Sequence, residues 1–378
     1  MMSASSPQDR FKNSRRDFLT VRSGLSTEER LSSADGIPVT SDEIDSGQAR
    51  PGYLIEVTRK AMACTFAVLL NAQRHSGATE LALQALDLVE RLEQQLSIYR
   101  PTSEVSEINR NAGDSDHLVE PSLGALIGRA LDLSRRTAGA FDITSGPLGR
   151  IWGFHRREGR LPSDEEILTS LSCVNYENVM IDVDMSTVRF RQPGVEINFN
   201  AIGKGYALDR CARLLDTSGL HDFVIHGGKS SILARGSRAA SISPGWLVDL
   251  RHPLRPDQTF LRFRLHNQAL GTSGDATQHF YHQGKRHGHI LDPRTGWPAT
   301  GVISSTVIAT SAETADALAT AFYVMGPDEV DVYCREHENL AAIITTPTKK
   351  SGGVKLHVFG LADDKWEMLS SPQTVEIA

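Results

Sequence analysis

The chain has 378 residues, 40% of them hydrophobic and 23% charged, with a net charge of −6. This balance excludes a collagen-like or wholly disordered chain and gives no basic footprint for nucleic acid. At about 150 residues per domain the length suits two domains or one large one. Residues 1–50 stand apart: they hold no apolar run longer than three and carry eight acidic and seven basic side chains. Such a segment cannot bury enough surface to offset its ordering entropy, so a polar, disordered tail is expected there. The fold is expected in residues 51–378.

No stretch approaches the roughly 18 apolar residues of a membrane-spanning helix. Cys64, Cys173, Cys211 and Cys334 are scattered without C-x-x-C spacing, which indicates neither a disulfide framework nor a zinc site. Within the tail, Ser14-Arg15-Arg16-Asp17-Phe18-Leu19 looks like a twin-arginine export signal. An apolar segment should follow it, but Thr20–Arg30 carries Arg22, Glu28, Glu29 and Arg30. A cytoplasmic location is therefore expected, with export to the periplasm as the alternative.

In chain order, Tyr53–Val57 and Thr65–Leu70 read as strands. Thr79–Ile98 reads as an amphipathic helix, with Leu81, Ala85, Val89, Leu92 and Leu96 at three- to four-residue spacing. A second helix is expected over Ser122–Ala138, stopped by Gly139. Strands are expected at Val179–Val183, Thr187–Arg191 and Val195–Phe199, then a helix over Lys204–Leu215. Further strands are expected at Phe223–His226, Ser231–Arg235, Trp246–Leu250, Phe260–Leu265 and Val302–Thr310. Helices over Ala312–Met325 and Asp328–Glu336 and strands at Leu340–Thr346 and Lys355–Phe359 close the chain. The gaps between strands are mostly hairpin-length, too short for repeated crossover helices. That predicts an α+β fold with mixed or antiparallel sheets.

Several motifs carry possible chemistry. Gly227-Gly228-Lys229-Ser230 resembles the end of a phosphate-binding P-loop, but the pattern's earlier glycine position holds Phe223, so a turn between strands is expected. His279, His282, His287 and His289 fit no common zinc spacing, and Gly284 marks a hairpin turn between the middle two. His289 differs because it leads into Ile290-Leu291-Asp292-Pro293-Arg294-Thr295-Gly296, a polar turn of the kind where sites sit. Asn198–Ala207 runs from a strand into a helix; Gly203 and Gly205 permit close backbone approach and Lys204 adds a cation, which suits a phosphate or pyrophosphate. A glycine-rich strand–helix corner is the plain alternative. Asp316 and Thr320 lie four apart on one helix face and offer oxygen ligands to a hard cation such as Mg²⁺; a local surface contact is the plain alternative.

The order of these segments is more specific than any one of them. Met62-Ala63-Cys64-Thr65, Leu96–Tyr99 with Ser103-Glu104 and Asn109, Gly139–Thr144, Asn198–Ala207, Gly227-Gly228, Thr272-Ser273-Gly274, His289–Gly296 and Ala315–Thr320 follow one another along the chain. Over about residues 53–346 this series resembles the ApbE family, the FAD:protein FMN transferases. The resemblance implies a T-fold-like α+β architecture and Mg²⁺-dependent transfer of the FMN moiety of FAD to a threonine or serine hydroxyl of a target flavoprotein, with AMP released. A subunit of a membrane redox pump is the kind of acceptor it implies. It also implies that Met62, Tyr99, Ala140, Phe141, Asp142, Asn198, Lys204 and Ile290 line the FAD. By the same resemblance the Ala201 carbonyl, Asp316 and Thr320 would hold Mg²⁺. A hydroxyl nucleophile needs a base, and His289 is the candidate. One departure is Asn198, where the family usually has aspartate, which leaves FAD binding without catalysis as an alternative; hydrolysis of FAD to FMN and AMP, with water in place of the protein hydroxyl, is another.

Overall fold

The computed structural model describes residues 19–21, 54–71, 75–156, 158–239, 243–275, 278–350, 352–369 and 375–377. Its first elements are strands β1 (Leu19–Val21), β2 (Leu54–Ala61) and β3 (Cys64–Asn71), followed by helices α1 (Ala78–Leu96) and α2 (Glu104–Asn111). Strand β4 (His117–Leu118) leads into α3 (Pro121–Arg136), α4 (Gly146–Ile151) and α5 (Asp164–Leu171). Strands β5 (Val179–Asp182) and β6 (Thr187–Phe190) precede α6 (Gly203–Thr217). A run of strands follows: β7 (Phe223–Gly227), β8 (Ser231–Arg235), β9 (Trp246–His252), β10 (Arg255–Leu265), β11 (Gln268–Gly274), β12 (His279–His282), β13 (Lys285–Gly288) and β14 (Ser304–Ala309). The chain then forms α7 (Ala312–Met325), α8 (Pro327–Glu336), β15 (Ala341–Pro347), β16 (Val354–Phe359), β17 (Trp366–Met368) and β18 (Val375–Ile377).

A nine-stranded sheet in the order β18-β16-β15-β14-β11-β8-β7-β3-β2 forms the centre, antiparallel except for the β16–β18 pair. Both of its faces are covered, which is why several of its strands read as continuous apolar runs rather than alternating ones. Phe66, Val68, Leu70, Ile225, Leu233, Ala269 and Ile344 point to one face and join the helices in the larger core. Their neighbours Ala67, Leu69, Val224, Ile232, Leu270 and Ile343 point to the other face. There they meet Trp246, Val248, Phe260 and Phe263 of a second sheet, β1-β9-β10-β17. The fold is thus α+β, with helices, a large sheet and a small sheet stacked in that order.

The sequence pattern places most of these elements. On α1 the buried side chains are Ala78, Ala82, Ala85, Leu86, Val89, Leu92 and Leu96, the stripe expected of an amphipathic helix. The expected α7 matches the observed span, and Ser311 caps it by accepting the Thr314 amide. Gly139 adopts φ 78° at the end of the α3 segment, as a left-handed stop requires. Two differences stand out. Val195–Phe199 is not a strand: Asn109 of α2 brackets Ile197 instead, accepting its N–H at 2.8 Å and donating to its carbonyl at 2.9 Å. One side-chain amide satisfies the backbone that a neighbouring strand would otherwise serve. The second difference is α5, which the apolar spacing does not reveal; its signal is the Ser163/Glu166 capping box. Of the tail, Leu19–Val21 pairs antiparallel with β9, while Ser14–Phe18 of the twin-arginine-like motif and Tyr53 lie outside the described residues. Among the described residues no helix is long and apolar enough to cross a membrane.

Candidate functional site

Three elements converge on Asp316. Helix α7 carries it, the first turn of α6 faces it, and the start of β8 lies beside it. The carboxylate is buried, with 4% of its residue surface exposed. Its Oδ2 accepts the Gly205 N–H at 2.9 Å and lies 3.5 Å from Lys204 Nζ. Its Oδ1 accepts the Ser231 hydroxyl at 2.6 Å. A buried carboxylate needs such donors to remain charged. The plain surface-contact alternative for Asp316 therefore does not hold.

Glycine makes the convergence feasible. A Cβ on Gly205 would fall 2.1 Å from the Ala312 carbonyl oxygen, and one on Gly271 would fall 2.4 Å from that of Ala315. Both absent methyls let α7 lie directly against α6 and β11. Asp209 of α6 fixes the approach by accepting the Ala312 and Glu313 amides at 2.9 and 2.8 Å, a cap on α7 supplied from another helix. Burial pushes the Asp209 carboxyl up, while those two amides pull it back down. One turn beyond Asp316, Thr320 shares a 3.0 Å hydroxyl–hydroxyl hydrogen bond with Ser273 of β11. Ala201 lies three residues before Lys204 in the turn that enters α6.

Hard oxygen donors on this scale suit Mg²⁺, which takes one or two protein carboxylates and completes its shell with waters and phosphate oxygens. The donor chemistry of Asp316, Thr320 and the Ala201 carbonyl fits that requirement. Among the described residues no group of three or more His, Cys, Asp or Glu side chains could hold a metal ion.

His289 follows β13, in the segment that returns from the β12–β13 hairpin. Its Nδ1 lies 3.0 Å from the Gln278 carbonyl, which also accepts the His289 backbone N–H at 3.2 Å. A carbonyl only accepts, so Nδ1 carries the ring proton and Nε2 presents the lone pair. Desolvation holds the imidazole pKa below the ordinary histidine value, and the His279 and Arg286 charges add to this; the Gln278 carbonyl and Asp275 oppose it. The ring is therefore neutral near pH 7, as a general base must be. The remaining histidines of the cluster behave as the hairpin reading expects: His282 is exposed at the turn, and His287 is buried against Phe280 and Trp152.

The expected flavin-lining residues fall into distinct settings. Met62 and Ala63 form the β2–β3 turn with φ of 47° and 58°, a left-handed pair without glycine. Such backbone costs on the order of 1–3 kcal/mol per residue and tends to persist at functional sites. Cys64 of this turn packs against Gly228, where an added Cβ would meet the Cys64 Cβ at 3.0 Å, and Gly228 and Lys229 turn β7 into β8. The turn reading of Gly227–Ser230 thus holds, and that hairpin leads directly to Ser231. Asp142 is buried and ties its own loop to the segment before β5, accepting the Thr144 N–H and hydroxyl at 2.8 and 2.7 Å and the Tyr176 N–H at 2.8 Å. Burial raises its pKa, and those bonds pull it down. Ala140, Phe141 and Ile290 are buried in the larger core. Asn198 donates weakly to the Ile143 carbonyl at 3.4 Å and accepts the Asn200 N–H at 3.3 Å. Tyr99 is 61% exposed and meets His155 edge-on, an aromatic face open to a ligand.

Sequence reasoning singled out Asp316, Lys204, Thr320 and His289 but not Ser231, Asp209, Asp275 or Arg286. Ser273 lay within a quoted segment, yet only the β11 register directs its hydroxyl to Thr320. An open depression of about 430 Å³, lined by Arg91, Gln95, Glu104, Glu120 and Arg210 among others, includes none of these site residues.

The α+β fold thus brings a lysine and a buried carboxylate together at a glycine-bearing helix start. Residues 61–344 match the ApbE family model, and the chain belongs to the ApbE family. It is 30% identical over 287 residues to an FAD:protein FMN transferase of Klebsiella pneumoniae, covering 75% of this chain and 86% of that one. Among solved structures it is similar to the ApbE protein of Thermotoga maritima (TM-score 0.71, 30% identity, 80% of this chain and 96% of that one). It is likewise similar to the flavin transferase ApbE of Vibrio cholerae (TM-score 0.72, 26% identity, 82% and 98%).

Proposed function

We propose that this protein is an FAD:protein FMN transferase: it moves the FMN half of FAD onto a threonine or serine hydroxyl of an acceptor flavoprotein and releases AMP. The observation that carries the reading is the meeting of Lys204 and Asp316 at 3.5 Å across α6 and α7, in a family whose named relatives transfer flavin. A buried carboxylate paired with a half-buried lysine beside a helix start is a seat for a pyrophosphate with its counter-ion.

Asp316, Thr320 and the Ala201 carbonyl would hold Mg²⁺, which when bound would offset charge on the phosphate oxygens. Lys204 supplies a second positive charge at the same place. The α6 start adds the partial positive end of its dipole. The acceptor oxygen attacks the phosphorus of the FMN half; that O–P bond forms as the P–O bond to AMP breaks. The proton leaving the hydroxyl passes to Nε2 of His289, whose Nδ1–H stays fixed on the Gln278 carbonyl. Tyr99 and the Met62 turn are the surfaces against which the flavin packs. We place the acceptor among flavoproteins such as a membrane redox-pump subunit, and the reaction in the cytoplasm, with the periplasm as the alternative.

The test is incubation of the purified protein with FAD, Mg²⁺ and a flavoprotein domain carrying an acceptor threonine. A covalent mass gain of one FMN on that domain, with equimolar AMP, is the expected result. AMP release without labelling would replace transfer by hydrolysis, and bound FAD with neither product would leave a binding protein.

A further inference from the structure

Asp275 lies just after β11, two residues from the Ser273 that holds Thr320, and the reaction described above gives it no role. It is 8% exposed. Arg286 of β13 reaches it twice: Nη1 lies 2.6 Å from Oδ2, and Nη2 donates to the Asp275 backbone carbonyl at 2.9 Å. The same Arg286 nitrogen lies 3.3 Å from His279 Nδ1, and that ring nitrogen is also 3.3 Å from the Asp275 carbonyl. Gly288 shares the strand face of Arg286, two residues on, and an added Cβ there would fall 2.8 Å from Asp275 Oδ2. The carboxylate is therefore seated in a notch that β13 leaves open by having glycine. Tyr323, buried on α7, feels the same carboxylate: burial together with the Asp275 charge pushes its pKa up. Asp275 thus ties the end of β11 to β13 beside α7.

We propose that Asp275, through Arg286, is a positioning residue for His289: it clamps the hairpin so that the Gln278 carbonyl stays on Nδ1 and Nε2 stays turned toward the acceptor hydroxyl. Gln278 and His289 lie at opposite ends of the hairpin that the Asp275–Arg286 pair closes. The Gln278 side chain is itself anchored to the Phe154 carbonyl at 2.9 Å. Releasing the clamp frees the hairpin to move against α7, and a base displaced by a fraction of an ångström loses much of its effect. The charged and titratable groups facing the imidazole are Asp275, His279 and Arg286, so removing the carboxylate also leaves two groups that disfavour its protonation.

The proposal rests on His289 being the base, and the experiment separates the two. Asp275→Asn keeps the shape and an acceptor oxygen while removing the charge, and Arg286→Lys keeps the charge but loses the paired contacts. Both are compared with His289→Ala in the flavin-transfer assay, and ¹⁵N NMR of the histidine rings of the full chain reports the tautomer. Expected for Asp275→Asn is a fall in kcat of about tenfold or more, part of the roughly 10²–10⁴ a general base supplies, with KM for FAD within about twofold. The His289 ring is expected to lose its pure Nδ1–H signature, and Arg286→Lys should be intermediate. A wild-type kcat in both variants while His289→Ala is inactive would overturn the clamp alone. So would a lowered kcat with an unchanged tautomer, or a loss confined to FAD affinity. Wild-type turnover in His289→Ala would overturn the base and the clamp together. If Asp275→Asn does not fold, Arg286→Lys decides by the same two readouts.

Discussion

The closest approach in the site is the one between the α6 start and α7, and Gly205→Ala tests whether that approach assembles it. The new methyl would stand 2.1 Å from the Ala312 oxygen, 2.5 Å from its carbon and 2.8 Å from the Glu313 Cα, all backbone atoms that no rotamer change can clear. Ordinary contact begins near 3.4 Å, so the two helices must part by about 1.3 Å. That movement exceeds the slack in the 2.9 Å bond from the Gly205 amide to Asp316 and draws Lys204 away from Oδ2. Overpacking costs about 1–3 kcal/mol, and a lost hydrogen bond to a charged group about 1.5–3 kcal/mol more. For a unit of this size the midpoint of thermal unfolding should drop by roughly 5 °C or more. Transfer should fall by about 10²-fold, the usual cost of a 1 Å misplacement, even at temperatures where the variant is folded. Calorimetry and the FMN-labelling assay measure the two effects. A variant with wild-type melting and wild-type labelling would show that α6 and α7 need not touch, and the construction of the site from that contact would fail.

Asp316→Ala removes the buried carboxylate and leaves the Ser231 hydroxyl and Gly205 N–H without their acceptor; Mg²⁺-stimulated labelling should disappear, and full activity would sink the metal assignment. The pH profile of kcat should fall on the acid side with a midpoint below about 6.5, because burial lowers the His289 pKa and the base is lost only when pH drops through that lowered value. An acid limb centred above pH 7 would exclude this imidazole as the base. Asn198→Asp keeps the acceptor for the Asn200 amide and gives up only the long 3.4 Å contact to Ile143, so stability should change by less than about 1 kcal/mol. Labelling should be retained or raised, and a total loss would mean that the site has been rebuilt around the amide.

How far the sequence could be read depended on whether a contact was local. The α7 span and the Asp316/Thr320 spacing follow from periodicity within one helix, and the Gly284 hairpin from its turn residue. Ser231 meets Asp316 across 85 residues, and Ser273 meets Thr320 across 47. Those pairings depend on which strand lies beside α7, and no pattern within either segment encodes that. The expected strand at Val195–Phe199 failed for a related reason: its apolar alternation is real, but its backbone is served by the Asn109 side chain, 88 residues away, and by the Ile143 carbonyl rather than by a neighbouring strand. The Met62–Ala63 turn lacked the glycine that usually announces left-handed backbone.

The glycines in turn explain how so sparse a set of polar residues can act together. Gly205 and Gly271 bring α7 against α6 and β11, which places a cation and two hydroxyls around one helix face. Gly288 does the same for β13 and Asp275, which places His289 near the end of the same strand, β11, whose Ser273 holds Thr320. Each element contributes one or two functional groups, and none carries a site alone. It follows that the chemistry should be more sensitive to the helix–strand spacings at these three glycines than to many substitutions of exposed residues nearer the ligand, because a change in spacing displaces several groups at once.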